Sequence, residues 1–199
     1  MKRAFDIVVA GATLIALSPL IAAVAIAVKL ESPGPVIFRQ QRVGKDGATF
    51  SMLKFRTMRS DPQDAGEGSS PVPQVSDFSS YVFDPLYGGK QYTRIGRFMR
   101  STSIDELPNL INVLRGEMSI VGPRPDVPEL VAQYPAEYQR RHSVRPGITG
   151  LAQINGRSSL TYEEMMLYDL KYVDHHSLLR DLVILAKTLP AVLSQRGAR

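Results

Sequence analysis

The sequence predicts an α+β fold that is mainly helical, with a short β-hairpin and an N-terminal segment associated with a membrane. An apolar run from Ile7 to Val28 opens the chain and is about as long as a bilayer core requires. Two segments of strand composition flank Asp46-Gly47, a strong hairpin turn signal. Helical periodicity returns in the second half of the chain. We therefore separate a membrane segment, residues 1–31, from a polar domain, residues 32–199.

Composition limits the chemistry of the chain. Its 199 residues are enough for one domain with a real core. The sequence contains no cysteine, which excludes disulfides and thiolate metal sites. Residues 60–90 carry a net charge of −4 within a total of +5, which leaves +9 on the rest of the chain. A surface of that sign suits anionic lipid, phosphorylated substrates or nucleic acid.

Three interpretations of the N-terminal segment are open. Lys2 and Arg3 before an apolar run resemble a signal peptide, but the run is long for one and Asp6 lies at its start. A spanning helix is the second interpretation. The third is a bent, re-entrant helix, because Ser18-Pro19 interrupts the run. Basic residues flank both ends, which favours a cytoplasmic location for both. They are Lys2, Arg3, Lys29, Arg39, Arg42 and Lys45.

The predicted hairpin pairs residues 36–43 with residues 48–58. Lys54 and Arg56 share one face of the second strand. For these two residues alone, a solvated strand face is the ordinary explanation. Residues 60–90 lack helical periodicity and are rich in Ser, Pro, Gly and Asp. We interpret them as a loop insertion, either a lid over a site or a disordered segment.

A helix is predicted from about residue 105 to Gly116, a natural C-terminal stop. Its start has two interpretations: Ser103 and Glu106 form a capping-box pattern, whereas Pro108 fits better if Asp105 is the cap. In either case the helix dipole favours ionised carboxylates. Four apolar residues fall on one face of this helix, namely Leu107, Leu110, Ile111 and Leu114.

Two adjacent carboxylates, Asp105 and Glu106, lie between two arginines in the sequence. Arg100 precedes them, and Arg124 follows within a Gly-Pro-Arg-Pro segment that restricts its freedom. A carboxylate beside guanidinium groups is suited to phosphate chemistry, with one group to attack and the others to hold charge. Taken alone, the acids are also ordinary helix-capping residues. The pair has the ligand chemistry to hold Mg²⁺ jointly with a substrate diphosphate.

Other site types lack support in the sequence. Its histidines have no metal-ligand spacing, and there is no Walker A loop, Rossmann glycine pattern or GxSxG elbow. Thr161 and Glu164 predict a capping box that opens a helix ending near Val173. A last amphipathic helix covers residues 178–193, with Leu179, Leu182, Val183 and Ala186 on one side. Packing in the core is its default interpretation, and lying flat on lipid is the alternative.

The sequence resembles the bacterial sugar transferase family, the monotopic phosphoglycosyl transferases that start membrane glycoconjugate assembly. The resemblance extends nearly end to end in ordered blocks. These blocks are Lys2 to Asp6, Ser18-Pro19, Ser32 to Pro35, Lys54 to Met58, Thr102 to Pro108, Val121 to Pro125 and Arg145 to Gly150. The resemblance implies a minimal catalytic form, with a re-entrant helix broken at Ser18-Pro19. It also implies a catalytic domain, residues 32–199, facing the cytosol at the bacterial inner membrane.

The resemblance further implies transfer of a phospho-sugar from a nucleotide sugar, UDP-linked by family preference, to polyprenol phosphate. It assigns Asp105 as nucleophile, Glu106 as its partner and Mg²⁺ as the metal held by both. The implied phosphate- and substrate-binding residues are Arg124, Lys54, Arg100, Arg157 and Asp169. The contrasting hypothesis is a non-catalytic membrane-surface adaptor. Nucleic acid is not an expected partner, because the arginines lie in proline-restricted turns.

Overall fold

The computed structural model describes residues 1–59, 74–82, 92–156 and 159–193. Within these ranges the chain is mainly helical with a short antiparallel hairpin, as predicted, and a small parallel strand pair was not foreseen. The helices are α1 Lys2–Ala16, α2 Ser18–Glu31, α3 Arg94–Thr102, α4 Asn109–Arg115, α5 Pro128–Val131, α6 Leu151–Ile154, α7 Tyr162–His175 and α8 Leu178–Leu193. The strands are β1 Ile37–Val43, β2 Thr49–Phe55, β3 Ser119–Val121 and β4 Gly147–Thr149.

The apolar N-terminal segment is broken where the sequence predicts. Helices α1 and α2 meet at Leu17 with a bend of 64°. Pro19 lies in the first turn of α2, where a missing N–H removes no helix hydrogen bond. The Ser18 hydroxyl donates to the Ile15 carbonyl at 2.8 Å. Across the described residues no single helix has the length and hydropathy to cross a bilayer, whereas the bent pair has both when taken together.

Polar side chains fix α1 to the rest of the domain. Lys2 pairs with the buried Asp181 on α8. Arg3 donates to the carbonyls of Val113 and Leu114 at the C-terminal end of α4, where a cation is favoured by the helix dipole. The Asp6 carboxylate is 2% exposed and accepts hydrogen bonds from Ser119 on β3. Asp6, the acid at the start of the apolar run, therefore anchors α1 to β3.

The other end of the helix pair is held by the hairpin. Arg56, the residue directly after β2, is 4% exposed, so the interpretation as a solvated strand residue is wrong. Its guanidinium donates to the Ser32 carbonyl at 2.7 Å and to the Ser32 hydroxyl at 2.8 Å, just beyond the C-terminus of α2. Glu31 accepts hydrogen bonds from the Arg94 and Ile95 backbone N–H groups at the start of α3.

The hairpin is confirmed and pairs Val43 with Thr49 next to the turn. Asp46 and Gly47 both have positive φ, at 55° and 78°, as the turn signal requires. Asn112 on α4 is fully buried and joins this hairpin to the helix. Its Oδ1 accepts from the Leu53 N–H at 3.1 Å, and its Nδ2 donates to the Ser51 carbonyl at 2.8 Å.

Helix α4 differs from its prediction at its start and in its buried face. A 3₁₀ turn, Ile104–Glu106, precedes it, and α4 begins only at Asn109, so neither proposed cap is correct. Ile111 and Leu114 are 38% and 39% exposed, although they share the predicted apolar face. The buried positions are Asn109, Leu110, Asn112 and Val113. Gly116 ends the helix in the left-handed conformation, as expected.

The predicted positions of the two C-terminal helices in the sequence agree with the structure. The Thr161–Glu164 capping box is present at the start of α7. Phe78 and Tyr81 pack against a core cluster that includes Tyr134, Tyr138 and Tyr162. Residues 60–73 and 83–90 of the predicted loop lie outside the described residues. Leu179, Leu182, Val183 and Ala186 of α8 are exposed, so the default prediction of core packing is wrong for that side.

Replacing Asn112 with alanine tests the connection between hairpin and α4. The substitution leaves two backbone groups of β2 without partners, at a cost of about 1–3 kcal/mol each. We expect the free energy of unfolding to fall by roughly 2–4 kcal/mol, measured by chemical denaturation in detergent. Asn155→Ala is the matched control, because among the described residues its exposed amide bonds the Leu151 carbonyl of its own helix and no other group. An equal loss in both variants would contradict this role.

Candidate active site

Charged side chains from three separate segments meet at Glu106. Lys54 comes from the end of β2, Glu106 from the 3₁₀ turn before α4, and Arg124 from the loop after β3. Lys54 Nζ lies 3.0 Å from Glu106 Oε1, and Arg124 Nη2 lies 2.8 Å from the same oxygen. Lys54 has a side chain only 13% exposed, so the solvated-face interpretation is also wrong for it. The structure thus brings together three of the predicted site residues.

The charges of this group depend on one another. Burial opposes the charge of Glu106, but Arg124 and Lys54 together hold the pKa of its carboxyl well below the usual range. Burial lowers the pKa of Lys54 to about 8, against the opposing effect of Glu106. Glu106 is therefore a fixed anion, and Lys54 is a cation that loses its proton in mildly alkaline solution.

Asp105 differs from its neighbour in its surroundings. The residue is 3% exposed, and within the described ranges no hydrogen bond or ion pair to its carboxylate is found. Burial and then Glu106 raise the pKa of Asp105, while Lys54, Arg100 and Arg124 lower it. Burial and the neighbouring anion therefore oppose the ionised form that the dipole argument favoured. A carboxylate without a partner beside three cations is available to react.

The remaining predicted residues lie in different places. Arg100 stands over the Tyr92 ring, 5.4 Å from its centroid, and acts electrostatically on Asp105. Arg157 lies outside the described residues. Asp169 is not beside the carboxylate pair; it is 1% exposed and accepts from Arg141 at 2.6 Å. Burial raises the pKa of Asp169 to about 6, although Arg141 opposes this.

A buried network supports the loop that carries Arg124. Arg141 donates to the Arg124 carbonyl at 2.5 Å and also pairs with Asp126 and Asp169. Tyr162 donates to Asp126 from the start of α7. Every buried charge in this network has a partner, as burial requires. Asp169 therefore contacts the site through Arg141.

Sequence reasoning missed two arginines that fix this loop. Arg42 on β1 donates to the Pro125 carbonyl at 3.0 Å, and Arg141 holds the Arg124 carbonyl. The sequence pattern indicates for Arg42 only a basic residue flanking the apolar run, and Arg141 lies in a polar run typical of solvated surface. Asp126 directly follows the Gly-Pro-Arg-Pro segment, and an acid buried at that position needs a cation as its partner.

The carboxylate pair has the chemistry of an incomplete metal site. Among the described residues no cluster of three or more Asp, Glu or His side chains is arranged to hold a metal. Glu106 Oε1 is occupied by Lys54 and Arg124, which leaves its second oxygen and the carboxylate of Asp105. Two carboxylates suit Mg²⁺, which commonly shares its coordination with substrate phosphates and water.

Comparison with known proteins shows the family of the chain. The sequence profile described as bacterial sugar transferase matches residues 1–195. The chain belongs to the bacterial sugar transferase family. The predicted family is confirmed, and so is the prediction that the protein is an enzyme of the phosphoglycosyl transferase type.

Several members of the family are close relatives in sequence. Exopolysaccharide production protein ExoY of Sinorhizobium fredii is 39% identical over 203 residues, covering 99% of this chain and 87% of the relative. A UDP-glucose:undecaprenyl-phosphate glucose-1-phosphate transferase of Caulobacter vibrioides is 42% identical over 207 residues, covering 99% and 71%. An Escherichia coli K12 protein with the same description is 42% identical over 197 residues, covering 95% of this chain and 39% of its own length.

The role of Arg141 as a positioning residue is testable with a conservative change. Arg141→Lys keeps the charge but cannot bond Arg124, Asp126 and Asp169 together. We expect the KM for the sugar donor to rise about tenfold, which corresponds to the loss of one charge-assisted hydrogen bond. Combining the change with Arg124→Ala should add nothing to Arg124→Ala alone, because both act through one group. Arg140→Lys is the control, because Arg140 is the exposed neighbour and pairs with Asp174. Additive effects of Arg141→Lys and Arg124→Ala on KM would contradict the positioning role.

The lowered pKa of Lys54 predicts how activity depends on pH. As pH rises through about 8, Lys54 loses its proton and one cation leaves the site. We expect kcat/KM, which reports the free enzyme, to decline above pH about 8. In Lys54→Arg the decline should disappear, because arginine stays charged in this range. An identical alkaline decline in Lys54→Arg would assign the titration to another group.

Proposed function

We propose that this protein transfers a phospho-sugar from a nucleotide diphosphate sugar to polyprenol phosphate through an aspartyl intermediate. The observation that carries the proposal is the contrast within the carboxylate pair. Glu106 is held by Lys54 and Arg124, whereas Asp105 is buried and unpaired among the described residues. The relatives named as UDP-glucose:undecaprenyl-phosphate glucose-1-phosphate transferases support the same donor and acceptor chemistry.

In the first step an Asp105 carboxylate oxygen attacks the sugar-bearing phosphorus. A bond forms between Asp105 and phosphorus, the bond to the bridging diphosphate oxygen breaks, and the nucleoside monophosphate leaves with the bonding electrons. Negative charge grows on the phosphoryl oxygens as this occurs. Arg124 and Lys54 are already fixed beside the reacting centre, so no reorganisation is needed to stabilise that charge.

In the second step an oxygen of the lipid phosphate attacks the same phosphorus. The Asp105–phosphorus bond breaks, the carboxylate returns, and polyprenyl diphosphate sugar is released. Glu106 keeps both cations in position throughout, because its pKa is held low and it stays ionised. Mg²⁺, held by Asp105 and Glu106 with the substrate phosphates, would supply Lewis-acid stabilisation of the phosphoryl charge.

The bent helix pair provides a membrane anchor beside the site. We infer that α1 and α2 enter and leave the cytoplasmic leaflet from the same side, as the flanking basic residues favour. Large apolar side chains are exposed along both helices, which is costly in water and favourable in lipid. They include Val8, Ile15, Ile26 and Leu30. The exposed apolar residues of α8 would rest on the same interface, which places the carboxylates where a lipid phosphate and a soluble nucleotide meet.

Single cysteines test this topology directly, since the natural sequence contains none. We expect cysteines introduced near Met1 and at Lys45 to be labelled only from the cytoplasmic side. A cysteine at Leu17, at the bend, should resist aqueous reagents from either side. Labelling from opposite sides of the membrane at Met1 and Lys45 would mean that the segment spans the bilayer.

Turnover of defined substrates tests the proposed reaction. We expect purified protein with Mg²⁺, UDP-glucose or another UDP-sugar and undecaprenyl phosphate to release UMP and form lipid diphosphate sugar. Asp105→Asn should reduce the rate by at least about a thousandfold, as removal of a nucleophile does elsewhere. Its thermal unfolding should stay close to that of the natural protein. Full activity in a well-folded Asp105→Asn variant would exclude the mechanism, and no turnover with any donor would favour the adaptor hypothesis.

A further inference from the structure

Residues 74–82 are the part of the predicted loop insertion that the structure describes, and they are bound to the start of α7. The Tyr162 N–H donates to the Tyr81 carbonyl at 2.8 Å. The next N–H of the helix, that of Glu163, donates to the Phe78 carbonyl at 3.2 Å. The first N–H groups of a helix have no partner within it, so this segment supplies acceptors that α7 needs. The segment is therefore fixed to α7 through its backbone.

The Phe78 side chain joins the segment to three tyrosines of the core. Its ring centroid lies 5.3 Å from that of Tyr162, 5.9 Å from that of Tyr138 and 6.1 Å from that of Tyr134. The contacts with Tyr138 and Tyr134 are edge-to-face, at interplanar angles of 79° and 83°, which is a preferred geometry of aromatic pairs. Loss of the Phe78 ring would therefore remove a packing partner from each of these tyrosines.

The hydroxyl groups of two of these tyrosines belong to the network that supports Arg124. Tyr134 and Tyr162 donate to Asp126 Oδ2 at 2.6 Å and 2.5 Å. Each hydroxyl has a single hydrogen, so both hydrogens are committed to this carboxylate. Arg141 pairs with the same carboxylate and donates to the Tyr134 oxygen at 2.6 Å. It also donates to the Arg124 carbonyl at 2.5 Å. The positions of the two rings therefore help to determine where Arg141 holds the Arg124 backbone.

We propose that segment 74–82 positions Arg124, and that Phe78 is the positioning residue through which the segment acts. This rests on the proposed transferase function, in which Arg124 stabilises the phosphoryl oxygens of the donor. The connection is a series of direct contacts, from the Phe78 ring to the tyrosine rings, from their hydroxyls to Asp126, and through Arg141 to the Arg124 carbonyl. A shift of about 1 Å in a group that holds substrate can cost on the order of a hundredfold in rate. Use of the sugar donor therefore depends on residues of the insertion that act through other side chains.

A purely structural role for the segment is the alternative explanation. Phe78 packs against a buried cluster, so truncation of its ring should lower stability under either explanation. The two explanations differ in their consequences for the sugar donor. Only a positioning role predicts weaker use of the donor that requires the Arg124 side chain.

Phe78→Ala in the intact protein tests the positioning role, with undecaprenyl phosphate and the UDP-sugar that the natural protein uses. We expect the KM for the sugar donor to rise about fivefold, which corresponds to the loss of one ordinary hydrogen bond. In an Arg124→Ala background the same change should leave this KM unaltered, because both changes act through one group. The midpoint of thermal unfolding should fall by the same amount in both backgrounds. Phe78→Leu keeps much of the apolar volume and should show the same pattern with smaller changes, and it decides the question if Phe78→Ala does not fold.

Val82→Ala is the matched control, because Val82 belongs to the same segment but is 41% exposed and lies outside the aromatic cluster. It should leave the KM for the sugar donor unchanged. An unchanged donor KM in folded Phe78 variants would overturn the positioning role, as would a rise that persists in the Arg124→Ala background. Failure of the natural protein to use any UDP-sugar would instead overturn the proposed function itself.

Discussion

The interaction of Glu106 with both Lys54 and Arg124 determines how the rest of the site is arranged. A single carboxylate oxygen receives donors from the hairpin and from the loop after β3. These segments are separated in sequence, so the contact is possible only when hairpin, α4 and loop are packed together. Asn112 fixes the hairpin against α4, and Arg141 fixes the loop that carries Arg124. Glu106 thereby takes both cations, and Asp105 is left as the carboxylate without a hydrogen bond or ion pair among the described residues.

The apolar N-terminal helices are joined to this arrangement through polar contacts at their ends. Lys2, Arg3 and Asp6 attach α1 to α8, α4 and β3, and Arg56 attaches the end of α2 to the hairpin. These contacts keep the bent pair in a fixed relation to the carboxylates. The apolar helix pair and the carboxylates are consequently one unit, as the proposed reaction between a lipid phosphate and a soluble nucleotide sugar requires.

Local sequence signals predicted the elements whose cause is local. Ser18-Pro19 marks the helix break, Asp46-Gly47 the hairpin turn and Gly116 the end of α4. Contacts between distant segments gave no such signal: Asn112 meets Leu53 59 positions away, and nothing local distinguishes it from a surface asparagine.

Helical periodicity also misassigned the buried face of α4, as the exposed Ile111 shows. An apolar stripe suits lipid as well as a core, so periodicity alone does not orient a helix at a membrane. The sequence predicts that the two carboxylates are adjacent. Their different surroundings depend on contacts between distant segments and are seen only in the folded structure.

The proposed difference in role between Asp105 and Glu106 is tested most directly by intact-protein and peptide mass spectrometry. The protein is mixed with Mg²⁺ and UDP-sugars, without lipid acceptor. We predict a mass gain of one phospho-sugar located on Asp105. A gain located on Glu106, or turnover without any adduct, would contradict the account.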